Sequence, residues 1–158
     1  MKSKFYSYVI SVLLLLPTAT ALAQDSESLM TYDLATNAMD AAEAYAREEG
    51  WNVTILITDQ NNNPVMLRRI DGAGGRTFSF ATAKALVVTE TGLTSGEYGQ
   101  RVQAGDIDEI EGGVTFAGGV PVYRNGQLIG AISTSGVRAA QDEEVSIAGA
   151  EVIGSISN

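Results

Sequence analysis

The chain has 158 residues, of which 45% are apolar and 18% are charged, a composition typical of one globular domain. Its 19 acidic residues against 10 Lys and Arg give a formal net charge of −9, which argues against nucleic acid or an anionic lipid surface as a partner. Cys and His are both absent, which excludes disulfides, thiolate nucleophiles, His-based catalytic triads and His-ligated metals.

Residues 1–23 have the pattern of a secretory signal peptide. Lys2 and Lys4 form a positive region, an apolar run follows, and Ala21-Leu22-Ala23 has the A-x-A pattern of a cleavage site. The apolar run is well short of the roughly 20 residues that span a bilayer, which disfavours a membrane anchor. The sequence therefore predicts one mature domain, residues 24–158, that is periplasmic or secreted and free of the membrane after cleavage.

The first half of the mature chain predicts a helix followed by a β-hairpin. Thr31 is suited to cap a helix that runs to about Glu49, and Gly50 ends it. The β-branched run Val53–Thr58 predicts a strand, and an Asn-rich turn leads into a return strand over Pro64–Ile70.

A second helix is predicted over Arg76–Thr91, with Gly92 as its end. The middle of this helix is apolar almost all round, which is typical of a buried helix. We expect irregular structure over residues 94–108, with one helical turn near Tyr98.

Three more strands and a helix complete the predicted order α-β-β-α-β-β-β-α. The strands are expected over Val114–Phe116, Val120–Arg124 and Leu128–Thr134, with Asn125-Gly126 as a hairpin turn, and the helix over Arg138–Ile156. Hairpin connections favour an antiparallel sheet. The predicted fold is therefore α/β of the α+β type, a mostly antiparallel five-stranded sheet with helices on both faces.

Five short motifs in this chain resemble the GlcG-like haem-binding family. They are, in order, Arg69-Ile70-Asp71-Gly72-Ala73, Ala83-Lys84-Ala85, Gly118-Gly119-Val120-Pro121-Val122, Gly130-Ala131-Ile132-Ser133-Thr134-Ser135-Gly136 and Gln141-Asp142-Glu143-Glu144. That family includes secreted haem-binding proteins and the C-terminal domain of a propanediol-utilisation corrinoid adenosyltransferase. The resemblance implies a profilin-like α-β-α sandwich, a homo-oligomer and the binding of a small molecule.

Haem is one candidate cofactor, although its identity stays open because no His is available as an axial ligand. Tyr and Met are known haem ligand types, and Lys offers an amine. The candidate ligands of this kind are Met30, Met66, Lys84 and Tyr123.

Lys84 is the most informative polar side chain of the predicted second helix. Its neighbours at helical spacing are apolar, so we expect it to be buried and to need a counter-charge. Asp142, which the resemblance singles out, lies at the start of the last helix. Lys84 and Asp142 would form either a structural clasp or an acid–base couple, and they are the candidate catalytic residues.

Positive charge is concentrated around the Gly-rich loop at residues 71–75. Arg69 and Arg76 flank this loop, and an Arg side chain pairs well with a carboxylate such as a haem propionate or an organic acid. We predict one cavity for a carboxylate or tetrapyrrole ligand, lined by Arg69, Asp71, Lys84, Gly118, Gly119, Pro121 and Asp142.

No metal site is predicted. An acidic run formed by Asp106, Asp108, Glu109 and Glu111 could attract Ca²⁺, but its spacing is not that of an EF-hand, and a solvated segment is the better interpretation.

Three functions follow from these residues. The leading one is a secreted or periplasmic small-molecule-binding protein. The second is an enzyme acting on a small organic acid, with Lys84 and either Asp142 or Asp71 in proton transfer. The third is an oligomeric interaction module without ligand chemistry.

Overall fold

A computed structural model describes residues 28–157 of the protein, so the predicted signal peptide lies outside the described residues. The described chain forms four helices and four strands. The helices are α1 (Tyr32–Glu48), α2 (Thr77–Thr91), α3 (Ser95–Ala104) and α4 (Ala139–Glu151). The strands are β1 (Thr54–Asp59), β2 (Pro64–Arg69), β3 (Gly119–Arg124) and β4 (Gln127–Ser135).

The four strands form one antiparallel sheet in the order β2-β1-β4-β3. Asn125 and Gly126, with φ of 53° and 75°, join β3 to β4. Positive φ at both positions is what the two-residue hairpin turn requires, so this predicted hairpin is confirmed.

Helices cover both faces of the sheet. On one face α1 and α4 pack together over a large apolar core. On the other face α2 lies across β1, β4 and β3 over a smaller cluster, which consists of Leu56, Ala81, Ala85, Val88 and Ala131. The small side chains of this second cluster let the backbone of α2 approach the sheet closely, which matters for the site below.

The predicted helices α1 and α2 are confirmed, and local signals explain where α1 begins and where α2 ends. The Thr31 hydroxyl accepts a hydrogen bond from the Leu34 amide at the start of α1. Gly92 ends α2 with φ +69°, a left-handed conformation that glycine adopts without strain.

The predicted strand Val114–Phe116 is wrong, and the sheet has four strands rather than five. The segment packs instead against α3, where the Thr115 carbonyl occupies the space that a side chain at Gly99 would need. It lies between Gly112, at φ +79°, and Gly118, at φ +124°. These backbone turns prevent a continuous ladder with β4.

Irregular structure was the wrong expectation for residues 94–108, because α3 occupies ten of them. The Thr94 hydroxyl accepts a hydrogen bond from the Glu97 amide, and Gly105 ends the helix in a left-handed conformation. Thr94 followed by an acidic residue three positions later is a helix-start signal that the sequence contained.

The last helix is shorter than predicted and ends at Glu151 instead of Ile156. Ser155 leaves the helix direction and exchanges two backbone hydrogen bonds with Tyr123 of β3. The chain after α4 therefore extends along the outer edge of the sheet.

Candidate functional site

Lys84 reaches from α2 into the interior and has no solvent-exposed surface. Its ammonium donates one hydrogen bond to the Thr134 carbonyl of β4 at 2.7 Å and another to Asp142 Oδ2 of α4 at 2.8 Å. The predicted pair is therefore present, and it joins two helices through the end of a central strand. A buried ammonium that donates to a strand carbonyl and to a carboxylate of another helix has the geometry of a structural clasp.

Asp142 is held by the backbone as well as by Lys84. Its Oδ1 accepts a hydrogen bond from the Val137 amide at 3.1 Å. The side chain is buried in the first turn of α4, where a carboxylate also complements the helix dipole.

Gly118 and Gly119 lie directly against this pair. A Cβ at Gly118 would overlap Lys84 Nζ and lie 2.8 Å from Asp142 Cβ, and one at Gly119 would lie 3.0 Å from Lys84 Cβ. The clasp fills the space beside Gly118, and the packed face of α2 fills the space beside Gly119.

Hydroxyl groups satisfy the backbone around the two glycines. Ser146 Oγ donates to the Gly118 carbonyl at 2.8 Å, and Ser95 Oγ accepts from the Gly119 amide at 2.9 Å. Thr134 Oγ1 lies 2.8 Å from Ser146 Oγ. The result is a connected polar cluster at the junction of α2, α3, α4 and the sheet.

Burial opposes charge on both members of the pair. Burial lowers the pKa of Lys84, while the hydrogen bond to Asp142 opposes that shift. Burial likewise raises the pKa of Asp142, and the hydrogen bond from Lys84 counteracts it. Each residue therefore depends on the other to stay ionised.

Glu143 is a third carboxyl group beside the pair. Its Oε1 is buried and has no hydrogen-bond partner within residues 28–157. Burial raises the pKa of Glu143, opposed by the charge of Lys84 and by a hydrogen bond with Thr94.

An aromatic row runs from this cluster to the surface. Lys84 Nζ lies 5.1 Å from the centre of the Phe116 ring, and Phe116 meets Phe80 edge to face with ring centres 5.6 Å apart. Arg76 lies over Phe80, with its guanidinium carbon 5.4 Å from the ring centre. Phe116 is 38% exposed, so a cation contacts the ring from within while part of it remains open to solvent.

Cavities lie on either side of the aromatic pair. Phe80 lines one of about 350 Å³, together with Gly74, Gly75, Arg76 and the turn at residues 135–137. Phe116 lines another of about 240 Å³ with Tyr98 and residues 109–115. A larger cavity of about 630 Å³ lies between α3 and residues 109–117.

The structure does not gather all the predicted site residues in one cavity. Lys84, Asp142, Gly118 and Gly119 meet as described, whereas Arg69 and Asp71 line a separate cavity of about 220 Å³ beside Glu43 of α1. The Arg69 guanidinium donates to the Ala73 carbonyl at 2.5 Å, which closes the Gly-rich loop on itself.

Pro121, the remaining predicted site residue, is buried in β3 opposite Ala131 on the α2 face. Its place in the register puts it two residues beyond the Lys84 contact at Gly119.

Sequence reasoning missed Phe116, Thr134, Ser146 and Ser95 as parts of the site. Phe80 was visible only as an apolar neighbour of Lys84 at helical spacing. Hydroxyl groups that come from three different elements leave no pattern along the chain, so only the fold brings them together.

Two further properties concern residues 28–157 alone. In that range no group of three or more acidic side chains is placed to hold a metal ion. None of its helices is long and apolar enough to cross a membrane.

Fold and site together define an α+β domain in which a buried Lys–Asp pair joins two helices across one end of a sheet. The chain belongs to the family described as haem degrading protein HbpS-like, which it matches over residues 30–151. The family resemblance predicted from the five motifs is thereby confirmed.

Similar proteins agree with this assignment. The crystal structure of HbpS is 32% identical, with a TM-score of 0.73 over 79% of this chain and 90% of that one. A 15.0 kDa protein of the dhaT-dhaS intergenic region of Citrobacter freundii is 29% identical over 74% of this chain and 88% of its own length. The crystal structure of a PduOC–haem complex, 22% identical, shares the fold with a TM-score of 0.75 over 81% of this chain and 98% of that one.

Proposed function

We propose that this protein binds a small molecule, a tetrapyrrole such as haem or another flat carboxylate, at the aromatic pair Phe80–Phe116. Membership of the HbpS-like family supports a haem-related ligand. The observation that carries the proposal is Phe116, a large aromatic ring that is partly open to solvent and lines one cavity, while its ring partner Phe80 lines another.

The surroundings of the pair suit a flat molecule with an acidic edge. An aromatic ring offers stacking area, and offset or edge-to-face contacts between rings are favourable by about 0.5–1.5 kcal/mol beyond burial. Arg76 lines the cavity next to Phe80, where its guanidinium can form paired hydrogen bonds with a carboxylate. The propionates of a tetrapyrrole carry such groups.

Haem would bind here without a strong axial ligand. His is absent from the sequence, and the ammonium of Lys84 is committed to Thr134 and Asp142. We therefore expect stacking and the carboxylate contact, rather than iron ligation, to provide the affinity.

Titration with haem and with metal-free protoporphyrin IX tests this function. Both should bind saturably, with a shifted Soret band and no spectrum of a strong six-coordinate complex. Phe116→Ala should weaken both ligands by about tenfold, as expected for one lost stacking contact. Phe78→Ala is the matched control, because Phe78 is a 52% exposed phenylalanine of α2 that lines neither cavity, and its loss should leave both affinities unchanged.

Two outcomes would contradict the proposal. One is a wild-type protein that binds neither tetrapyrrole. The other is equal binding by the Phe116 and Phe78 variants, which would place the ligand elsewhere.

We also propose that the protein is exported and acts in the periplasm or outside the cell as a homo-oligomer. The signal-like residues 1–23 support export, and the family resemblance supports assembly. N-terminal sequencing of material from its host should find Gln24 first, and finding Met1 instead would contradict export. Sedimentation at micromolar concentration should show more than one copy, and a monomer there would contradict assembly.

A further inference from the structure

Phe116 differs from an ordinary stacking ring because a buried ammonium lies behind it. Lys84 Nζ is 5.1 Å from the ring centre and has no exposure to solvent, so its contact with the ring is on the inner side. The exposed 38% of Phe116 is what remains for a ligand.

The faces of an aromatic ring carry partial negative charge, and this charge is what attracts a cation. When one face is already engaged by an ammonium, the ring's electron density is drawn toward that side. A second cation on the open side would meet a weaker attraction from the ring. An electron-rich ring does not suffer this penalty.

Phe80, the ring next to Phe116, also has a cation over it. The guanidinium of Arg76 lies over Phe80, and Phe80 contacts Phe116 edge to face. Both rings of the pair are therefore engaged by a cation, although the protein carries a formal net charge of −9 that would otherwise attract cationic ligands.

We infer that the ammonium of Lys84 makes Phe116 selective, so that this site accepts flat, electron-rich, uncharged or anionic ring systems and rejects cationic ones. This inference rests on the function proposed above. It assigns to the buried clasp a second role, in ligand discrimination, besides its role in holding the helices together.

A charge-conserving double variant tests the inference. Lys84→Met with Asp142→Asn removes one positive and one negative charge, so the net charge and the long-range field of the protein stay the same. Removing both partners also avoids leaving a buried carboxylate unpaired.

The probes are protoporphyrin IX and a tetracationic N-methylpyridinium porphyrin, each titrated into the wild type and the double variant by absorbance. The measured quantity is the ratio of the two dissociation constants within each protein, because peripheral charges of the probes contribute equally in both proteins. We expect the preference for protoporphyrin IX to fall by about threefold to tenfold in the double variant.

Controls separate this inference from the proposed function. Phe116→Leu should lower the preference similarly, because the polarised ring is gone, whereas Phe78→Leu should leave the ratio at its wild-type value. A ratio unchanged in the double variant, with protoporphyrin IX still bound at Phe116, would overturn the selectivity alone. Failure of the wild type to bind protoporphyrin IX would overturn the proposed function and the selectivity with it.

Discussion

A buried ion pair and an exposed ion-pair network of this protein have nearly the same N···O distances and opposite surroundings. Lys84 and Asp142 lie 2.8 Å apart with side chains 0% and 4% exposed. Arg68 lies 2.6 Å from Asp40 and 2.8 Å from Glu43, on a surface where these side chains are 36%, 59% and 19% exposed. The distance between the charged atoms therefore says little about how much each contact contributes to the free energy of unfolding. Burial decides that contribution, because water replaces a lost partner at the surface and cannot do so in the interior.

The largest effect should come from breaking the buried pair on one side only. Lys84→Met leaves the Asp142 carboxylate buried without its cation, and we expect a loss of about 3–5 kcal/mol in the free energy of unfolding. Adding Asp142→Asn should recover part of that loss, and urea melts of both single variants and the double variant measure it. Losses that simply add would mean that the two residues act independently.

Gly118→Ala tests the space around the same pair. A methyl group there would overlap Lys84 Nζ, and the residue has φ +124°, where residues other than glycine are strained. We expect a loss of about 2–3 kcal/mol in thermal or urea melts. Gly75→Ala is the matched control, because nothing lies within 4 Å of a Cβ at that position. A Gly118 variant as stable as the Gly75 variant would contradict the close packing.

Glu143 should affect the stability of the protein in a way that depends on pH. Its pKa in the folded protein is raised by burial, so the folded state binds the proton more tightly than the unfolded state does. The contribution of Glu143 to stability should consequently fall as pH rises from the ordinary value of 4.5 through the raised pKa.

Glu143→Gln removes this dependence. The variant should match the wild type below that pH and exceed its stability near neutrality by less than about 1 kcal/mol, because burial disfavours the charged carboxyl and solvent screens this half-buried group. Urea melts at pH 4 and pH 7 measure the difference. A wild type that gains stability over this range relative to the variant would show that Glu143 is stabilised as the anion.

The smallest effect should come from the exposed network. Arg68→Met removes both of its contacts, and we expect a loss of about 0.2–1 kcal/mol that shrinks further in high salt. Arg68 lowers the pKa of Glu43, so this stabilisation exists above the ordinary carboxyl pKa and is lost as pH falls through the lowered value. A loss as large as that of Lys84→Met would contradict the comparison.

The sequence predicts local features of this fold better than distant ones. The burial of Lys84 followed from apolar neighbours at helical spacing, and the β3–β4 hairpin from Asn125-Gly126. The strand expected at residues 114–116 was wrong because the close contact of Thr115 with Gly99 depends on α3, an element that had not been predicted. Local propensity alone could not supply that contact.

The residues of the candidate site were likewise predicted only in part. Asp142 was found as the partner of Lys84 through the family resemblance, and the structure confirms the contact. Arg69 and Asp71 were placed at the same site because they precede α2 in the chain, but the loop folds back on Ala73 and directs them to α1. The role of Phe116 beside Lys84 arises from a loop between two glycines, whose path no periodic pattern describes.

The outer edge of β3 has a consequence for how these molecules can associate. The backbone amide positions that face away from β4 belong to Gly119, Pro121 and Tyr123, and none of them offers a free N–H. The Gly119 amide donates to Ser95 Oγ, and the Tyr123 amide donates to the Ser155 carbonyl. Proline has no N–H. An edge without free amide donors is a poor template for another strand. Fibrillar growth by repeated strand addition needs two receptive edges on every molecule, so the pairing of Ser155 with Tyr123 at this edge helps to stop such growth before it can propagate.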